Sequence, residues 1–352
     1  MGTDSQKISW GILGTGNIAK QFAAGVAGSK LGKLAAVASR TQNAADEFAT
    51  RFKLPHDRAY PTYQQLMDDP AVQAVYISLP NALHHEWTLK ALAAGKHVLC
   101  EKPLANDVAQ AKEMFAAAKA ADRLLVEAFM YRSHPLTQKV LREVRNGVVG
   151  QLRLIRSSFC YQTSNLENIR FSKPLAGGGL MDVGCYCIDY ARLITGQEPV
   201  EVKATAVICE TGVDDLLSGT MVFPKGIIAS FTCGMRVQAD NLASICGQDG
   251  YIEVPIPWKP PVKDAKYVVG YSTPPKMDDA QKAAGQTKPN KVVPRQTFTV
   301  DATGPLYGME ADAFAKAVAG EPPAITETDS LANMAILDEM RSQIGLKWDE
   351  QA

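Results

Sequence analysis

Apolar and polar positions follow two rhythms along the first third of the chain. Short apolar runs at Lys7–Leu13, Leu34–Ser39, Ala74–Leu79, His97–Cys100 and Leu124–Ala128 have the length and composition of buried strands. Between them, apolar residues recur at three- and four-residue spacing over Asn17–Ala27, Asn43–Phe52, Leu83–Ala94 and Asp107–Ala121, which predicts helices. Asn43 and Asp107 are the expected N-caps, and Gly95 is placed to end the third of these helices. Strands alternating with helices predict a parallel sheet covered on both faces.

The rhythm changes after about residue 129. A helix over Pro135–Arg145 leads into an alternating run at Gln151–Thr163. Further strands are expected at Val200–Glu210, Ser218–Phe223, Ile227–Val237, Ala243–Gly247 and Tyr251–Val254, joined by short turns such as Pro224-Lys225-Gly226. Close spacing of this kind predicts an open, mainly antiparallel sheet. Residues 255–296, rich in Pro, Lys and Gly, read as a long irregular and partly mobile segment. Two helices, Leu306–Val318 and Asp329–Ile344, are expected to close the chain. The pattern divides the chain into an α/β domain at 1–128 and an α+β domain at 129–352, and 352 residues exceed what one typical core accommodates.

Composition narrows the classes of partner. Lys plus Arg and Asp plus Glu both number 37, so the balanced charge gives no reason to expect nucleic acid or an acidic membrane surface. No apolar run is long enough to span a bilayer, and the polar stretch Met1–Lys7 lacks the apolar region of a secretory signal. Most of the seven Cys sit inside apolar stretches, as reduced buried thiols do, which fits a cytoplasmic location. Cys185 and Cys187 have no second Cys/His pair at zinc-site spacing, so no metal is expected.

Candidate chemistry begins at Gly14-Thr15-Gly16-Asn17-Ile18-Ala19, a G-x-G-x-x-A between the first strand and the first helix. Gly14 permits a tight turn, Gly16 lets a pyrophosphate approach the backbone, and Ala19 lets helix and strand pack closely. The helix N-terminus then offers unpaired N–H groups and a positive dipole end to phosphates. Strand before, helix after and second strand at the right distance make 1–128 a Rossmann dinucleotide-binding domain. An NAD site usually carries an acid at the end of the second strand; here Ser39 and Arg40 stand there. A hydroxyl and a guanidinium suit a 2′-phosphate, which favours NADP over NAD. Arg40 stacking on adenine, in either cofactor, is the competing account.

Glu101-Lys102-Pro103 follows the fourth strand, and strand C-terminal ends face the ligand crevice in such sheets. Lys102 is therefore expected near the nicotinamide end, against the plainer reading of a surface lysine. Farther on, Gly177-Gly178-Gly179 opens a helix on which Asp182, Tyr186 and Asp189 share one face and Val183, Cys187, Ala191 and Ile194 another. At this point a functional stripe and an ordinary surface stripe stand equal.

Taken with Leu79-Pro80-Asn81-Ala82-Leu83-His84, these motifs in this order resemble the Gfo/Idh/MocA oxidoreductase family over nearly the whole chain outside the Pro-rich segment. The Asp-x-Gly-x-Tyr form at 182–186 is similar to the branch of glucose-fructose oxidoreductase, D-xylose dehydrogenases and dimeric dihydrodiol dehydrogenases. The resemblance implies catalysis by Lys102 and Tyr186 with help from Asp182. It implies cofactor contacts along Gly14–Ile18, Ser39, Arg40, Leu79, Pro80, Asn81, His84, Glu101 and Lys102. It implies a substrate pocket of Tyr131, Arg132, Tyr161, Arg170, Asp182 and Tyr186, with His84 near the nicotinamide and a Lys102–Pro103 peptide that is often cis. The expected substrate is a sugar or cyclic diol, with Tyr186 as general base made acidic by Lys102. Homodimers or homotetramers through the C-terminal sheet are expected from the same resemblance. A non-catalytic NAD(P)-binding regulator and an NAD-dependent glycosidase of the superfamily are the alternatives; the first has no need of Lys102 and Tyr186, and the second carries a Gly-Arg-Gly signature not found here.

Overall fold

In the computed structural model, which describes residues 7–271 and 294–348, the strands divide into a six-stranded and an eight-stranded sheet. The first contains β1 (Ile8–Leu13), β2 (Gly32–Ala38), β3 (Ala59–Tyr60), β4 (Ala74–Ile77), β5 (His97–Glu101) and β6 (Leu125–Ala128), all parallel, in the order β3-β2-β1-β4-β5-β6. Its helices are α1 (Asn17–Val26), α2 (Gln42–Phe52), α3 (Tyr63–Asp68), α4 (His84–Ala93) and α5 (Val108–Ala120). Coverage on both faces explains why β4 is buried at every position and reads as a continuous apolar run. Winding reverses between β1 and β4, so the chain ends of these strands open onto a crevice.

Two details differ from expectation. Thr41 caps α2, its hydroxyl accepting from the Ala44 N–H at 3.3 Å, while Asn43 lies exposed and bonds Glu47 instead. β3 and α3 were not anticipated, because two and six residues are too short for a periodicity to register. Asp107 caps α5 as expected, and Gly95 follows α4 with φ +73°.

The second sheet holds β7 (Leu152–Cys160), β8 (Glu201–Ile208), β9 (Asp214–Phe223), β10 (Ile227–Gly234), β11 (Ala243–Gly247), β12 (Gly250–Val254), β13 (Ala265–Tyr271) and β14 (Arg295–Val300), in the order β14-β13-β12-β11-β7-β10-β9-β8. Neighbours are antiparallel except β7 and β10. The irregular reading of 255–296 needs correction here. β13 lies inside that segment and pairs with both β12 and β14. Prolines flank this apolar run without entering it, and their density masked it; residues 272–293 lie outside the described residues. Among the described residues the remaining α-helices are α6 (Pro135–Arg145), α7 (Cys185–Thr195), α8 (Leu306–Val318) and α9 (Glu327–Gln343).

α8 belongs to the end of the sequence but packs on the beginning. Its Phe314 ring lies 4.9 Å from Trp10, and its Asp312 carboxylate accepts the Lys30 and Leu31 N–H groups at 2.9 and 2.8 Å. α1 and α8 touch backbone to backbone at glycines: a Cβ on Gly25 would stand 2.6 Å from Tyr307 Cβ, and one on Gly308 would stand 2.6 Å from the Gly25 carbonyl. Gly25→Val should therefore cost about 1–3 kcal/mol by overpacking, read as a lowered denaturation midpoint, whereas Val at exposed Gly16, whose Cβ would meet no protein atom, should leave the midpoint little changed.

Candidate active site

β5 ends at Glu101 and passes Lys102 into the crevice; the Lys102–Pro103 peptide is cis. Facing it is the entry to α7, where Leu180–Gly184 form a π-helical turn rather than a regular one. Lys102 Nζ donates to the Asp182 carbonyl at 2.5 Å and to its Oδ1 at 3.2 Å. The other carboxylate oxygen of Asp182 accepts from Tyr161 Oη at 2.7 Å and Arg170 Nε at 2.9 Å. The Lys102 ammonium lies over the Tyr186 ring, 5.1 Å from its centroid. These groups border a cavity of about 420 Å³ that Ile18, Leu79, Pro80, Asn81 and Glu101 also line. Asn81 ties the two halves together, its Nδ2 donating to the Ala176 carbonyl at 2.7 Å.

Three expected pocket or cofactor residues lie elsewhere. Tyr131 and Arg132 do not line the cavity. Both bond the buried Asp189 carboxylate, Arg132 through Nε at 3.0 Å and Nη2 at 2.5 Å, so their polar ends are consumed in a core ion pair. This also removes Asp189 from the stripe it was expected to share with Asp182 and Tyr186; the π turn at the helix entry changes the register assumed for a regular helix. His84 is fully buried away from the cavity, with Nδ1 2.9 Å from the Pro103 carbonyl and Nε2 2.9 Å from the Leu79 carbonyl. Burial, against the pull of both carbonyls, lowers its pKa to about 4, so it is neutral at pH 7. As a neutral ring it has one N–H to donate to one of the two carbonyls, and it fills the space between the loops after β4 and β5.

Other cavity residues carried no usable sequence signal. Phe159 is one position of β7, Tyr307 sits at the start of α8, and Lys259 lies in the Pro-rich segment. Phe159 stacks on Trp258 at 5.5 Å and meets the Tyr186 ring edge-on at 5.2 Å.

Electrostatics follow from this packing. Burial alone would raise the Asp182 pKa, but Lys102, Arg170 and the Tyr161 hydroxyl hold it well below the usual carboxylate range. Burial likewise opposes the charge on Lys102, and Asp182 overcomes it, so the ammonium persists. The expectation that Lys102 makes the Tyr186 phenol acidic is corrected. Burial, reinforced by Glu101, pushes that phenol well above its ordinary range. Lys102 faces the ring and is matched by Asp182, while the hydroxyl lies 3.3 Å from Met130 Sδ.

At the opposite end of the crevice the residues fit a dinucleotide. α1 has neither a side-chain cap nor an acid in its first turn, so its leading N–H groups are available to an anion. Gly14 turns with φ +96° and bonds the Ala38 carbonyl, and the space beside Gly16 is open. Thr15 and Ser39 hydroxyls lie 3.2 Å apart, and Arg40 is exposed beside them. Asn17 is exposed at the first turn of α1. Among the described residues no cluster of His, Cys, Asp and Glu could hold a metal ion, and no helix is long and apolar enough to cross a membrane.

Residues 8–129 match the family model of the oxidoreductase family with NAD-binding Rossmann fold, and residues 137–253 match the GFO/IDH/MocA C-terminal domain. The chain belongs to the Gfo/Idh/MocA oxidoreductase family. Trans-1,2-dihydrobenzene-1,2-diol dehydrogenase of Mus musculus is 36% identical over 72% of this chain and 76% of that protein. The Danio rerio enzyme of the same name is 30% identical over 98% and 99%. Among solved structures, KijD10, a 3-ketoreductase from Actinomadura kijaniata in complex with NADP and TDP-benzene, superposes with TM-score 0.83 at 30% identity, covering 96% of this chain and 98% of that one. Aldose-aldose oxidoreductase from Caulobacter crescentus gives 0.81 at 25% identity over 96% and 97%. This Gfo/Idh/MocA chain is thus an oxidoreductase built on a nicotinamide-dinucleotide fold.

The glycine-rich entry to α7 rests on a second buried acid. Asp214, at the start of β9, accepts the Leu180 N–H at 2.6 Å, and a Cβ on Gly178 would lie 2.2 Å from its Oδ1. Burial raises its pKa from 3.8 to about 7, and the backbone N–H groups recover only part of the cost. A raised pKa means that the folded protein prefers the neutral acid, so stability present below 3.8 is lost as the pH climbs through about 7. Asp214→Asn keeps an acceptor and cannot ionise. Between pH 4 and 7 its unfolding free energy should fall less than the parent's, by a few kcal/mol at most, in denaturant titrations at each pH.

Proposed function

We propose that the protein is an NADP-dependent dehydrogenase or reductase that moves a hydride between nicotinamide C4 and a carbinol carbon of a sugar or cyclic diol. The observation that carries this reading is the Lys102 ammonium held over the Tyr186 ring inside a cavity at the strand ends. The reacting oxygen of the substrate lies between the Tyr186 hydroxyl and Lys102 Nζ. NADPH, when bound, supplies the hydride, and NADP accepts it in reverse. A phenol held protonated at neutral pH is a general acid: Tyr186 gives its proton to the carbonyl oxygen as the alkoxide forms, and Lys102 donates a hydrogen bond to that oxygen. In the oxidation direction Tyr186 takes the proton back. Asp182 keeps Lys102 charged and aimed, and Phe159 and Trp258 exclude water from one side.

Gly14, Thr15, Gly16, Asn17 and Ile18 would hold the pyrophosphate, Ser39 and Arg40 the 2′-phosphate, and Leu79, Pro80, Asn81, Glu101 and Lys102 the nicotinamide half. Tyr161 and Arg170 would bind substrate beside Asp182. The dihydrodiol dehydrogenases and the NADP-bound 3-ketoreductase among the relatives support this substrate class and this cofactor. The domain division at residue 128 follows the change from parallel to mainly antiparallel sheet. Exposed Val200, Val207, Ile208 and Ile228 on and beside the second sheet support homo-oligomers through that face. Free, mostly buried thiols support a cytoplasmic setting.

Tyr186→Phe should lower kcat about 100-fold or more through loss of the proton donor, with NADPH affinity retained in fluorescence titration; Lys102→Ala should also lower kcat, through loss of the hydrogen bond to the reacting oxygen. Unchanged turnover in either would remove that residue from the chemistry. Arg40→Ala should raise the KM for NADP at least about tenfold, the loss of a charge-assisted contact, and leave the KM for NAD nearly unchanged. Equal effects on both cofactors would instead place Arg40 on the adenine.

A further inference from the structure

Lys259 reaches the wall of the active-site cavity from the stretch between β12 and β13. Lys102 and Arg170, the other cations there, both bond Asp182. Lys259, among the described residues, has no hydrogen bond and no ion pair. Its position is nonetheless fixed on both sides. The preceding Trp258 donates from Nε1 to the Ser158 carbonyl at 2.8 Å and stacks on Phe159. Two residues later the Pro261 carbonyl meets His134 Nε2 at 3.2 Å. His134 Nδ1 accepts the Leu136 N–H, so Nε2 carries the proton and donates. Lys259 is solvent-exposed at the cavity wall, so its ammonium is hydrated there and, unlike Lys102 and Arg170, is not committed to Asp182 and stays available to a ligand.

The charge balance points the same way. Three cationic side chains face two carboxylates: Asp182 is shared by Lys102 and Arg170, and Glu101 accepts the Tyr76 hydroxyl. Burial and the Lys102 charge pull the Lys259 pKa down, and Glu101 and Asp182 offset only part of that pull. A neutral sugar closing over this site would take water from Lys259 and return no charge.

We propose that Lys259 is an anion subsite of the active-site cavity, selecting a hydroxy or oxo sugar that carries a carboxylate or phosphate away from the reacting carbon. The proposal rests on the dehydrogenase reading of the same cavity and deepens it by naming the substrate class. Cofactor phosphates are not the expected occupant, since the uncapped N-terminus of α1 serves them and Gly16 is not part of the cavity lining.

The test is calorimetric, so it does not depend on turnover. Glucose, glucuronate and glucose 6-phosphate are titrated into the NADP-saturated full-length protein and into Lys259→Met and Lys259→Arg. The expected result is that one anion binds the parent at least about tenfold more tightly than glucose, one charge-assisted contact's worth. Lys259→Met should abolish that preference and Lys259→Arg should keep it. Which anion is preferred separates a carboxylate from a phosphate ligand. Equal binding of all three sugars, a preference that survives in Lys259→Met, or a loss in that variant confined to NADP affinity would each overturn the proposal. Anion binding that depends on Lys259 without turnover of any sugar would uphold the subsite and count against the dehydrogenase reading instead.

Discussion

Asp182 keeps its charge in surroundings where burial alone would neutralise it, because Lys102, Arg170 and Tyr161 converge on the one carboxylate. The convergence is structural as much as electrostatic. Lys102 follows the end of a parallel strand, Tyr161 follows the first strand of the second sheet, and Arg170 sits on a 3-10 turn between β7 and α7. A single anion therefore sets the spacing across the crevice. An isolated buried carboxylate would have no such hold, since desolvation would protonate it and release its partners.

Around that anchor the phenol and the amine divide the work differently from a simple acid–base couple. The amine answers to the carboxylate and presents its charge to the face of the ring. The phenol, deprived of water and close to Glu101, stays neutral. On the proposed mechanism such a phenol enters the reaction as the protonated partner.

Much of this was legible in the sequence because the first half obeys local rules. The glycine turn, the buried strand runs and the Asp107 cap each announce themselves within a few residues, and the parallel sheet follows from their alternation. Lys102 was expected near the crevice because it follows a strand end, whereas the helix face of Tyr186 left a surface stripe equally open until the family resemblance was added. Tyr131, Arg132 and His84 were misassigned because nothing local distinguishes a polar side chain aimed at a ligand from one bonded to a distant Asp189 or held between two carbonyls. β13 was hidden by the prolines around it, and Lys259, Tyr307 and Phe159 reach the cavity only through the tertiary path of the chain.

The return of α8 to the first helix bears on how the two halves can be separated. Trp10, Phe22 and Tyr76 form an aromatic stack beneath α1, and Phe314 of α8 closes one side of it. The parallel sheet is contiguous in sequence, yet its apolar interior is sealed by a helix synthesised almost two hundred residues after β6 ends. A nascent Rossmann half leaving the ribosome would thus carry an uncovered aromatic seam until α8 arrives to clasp it.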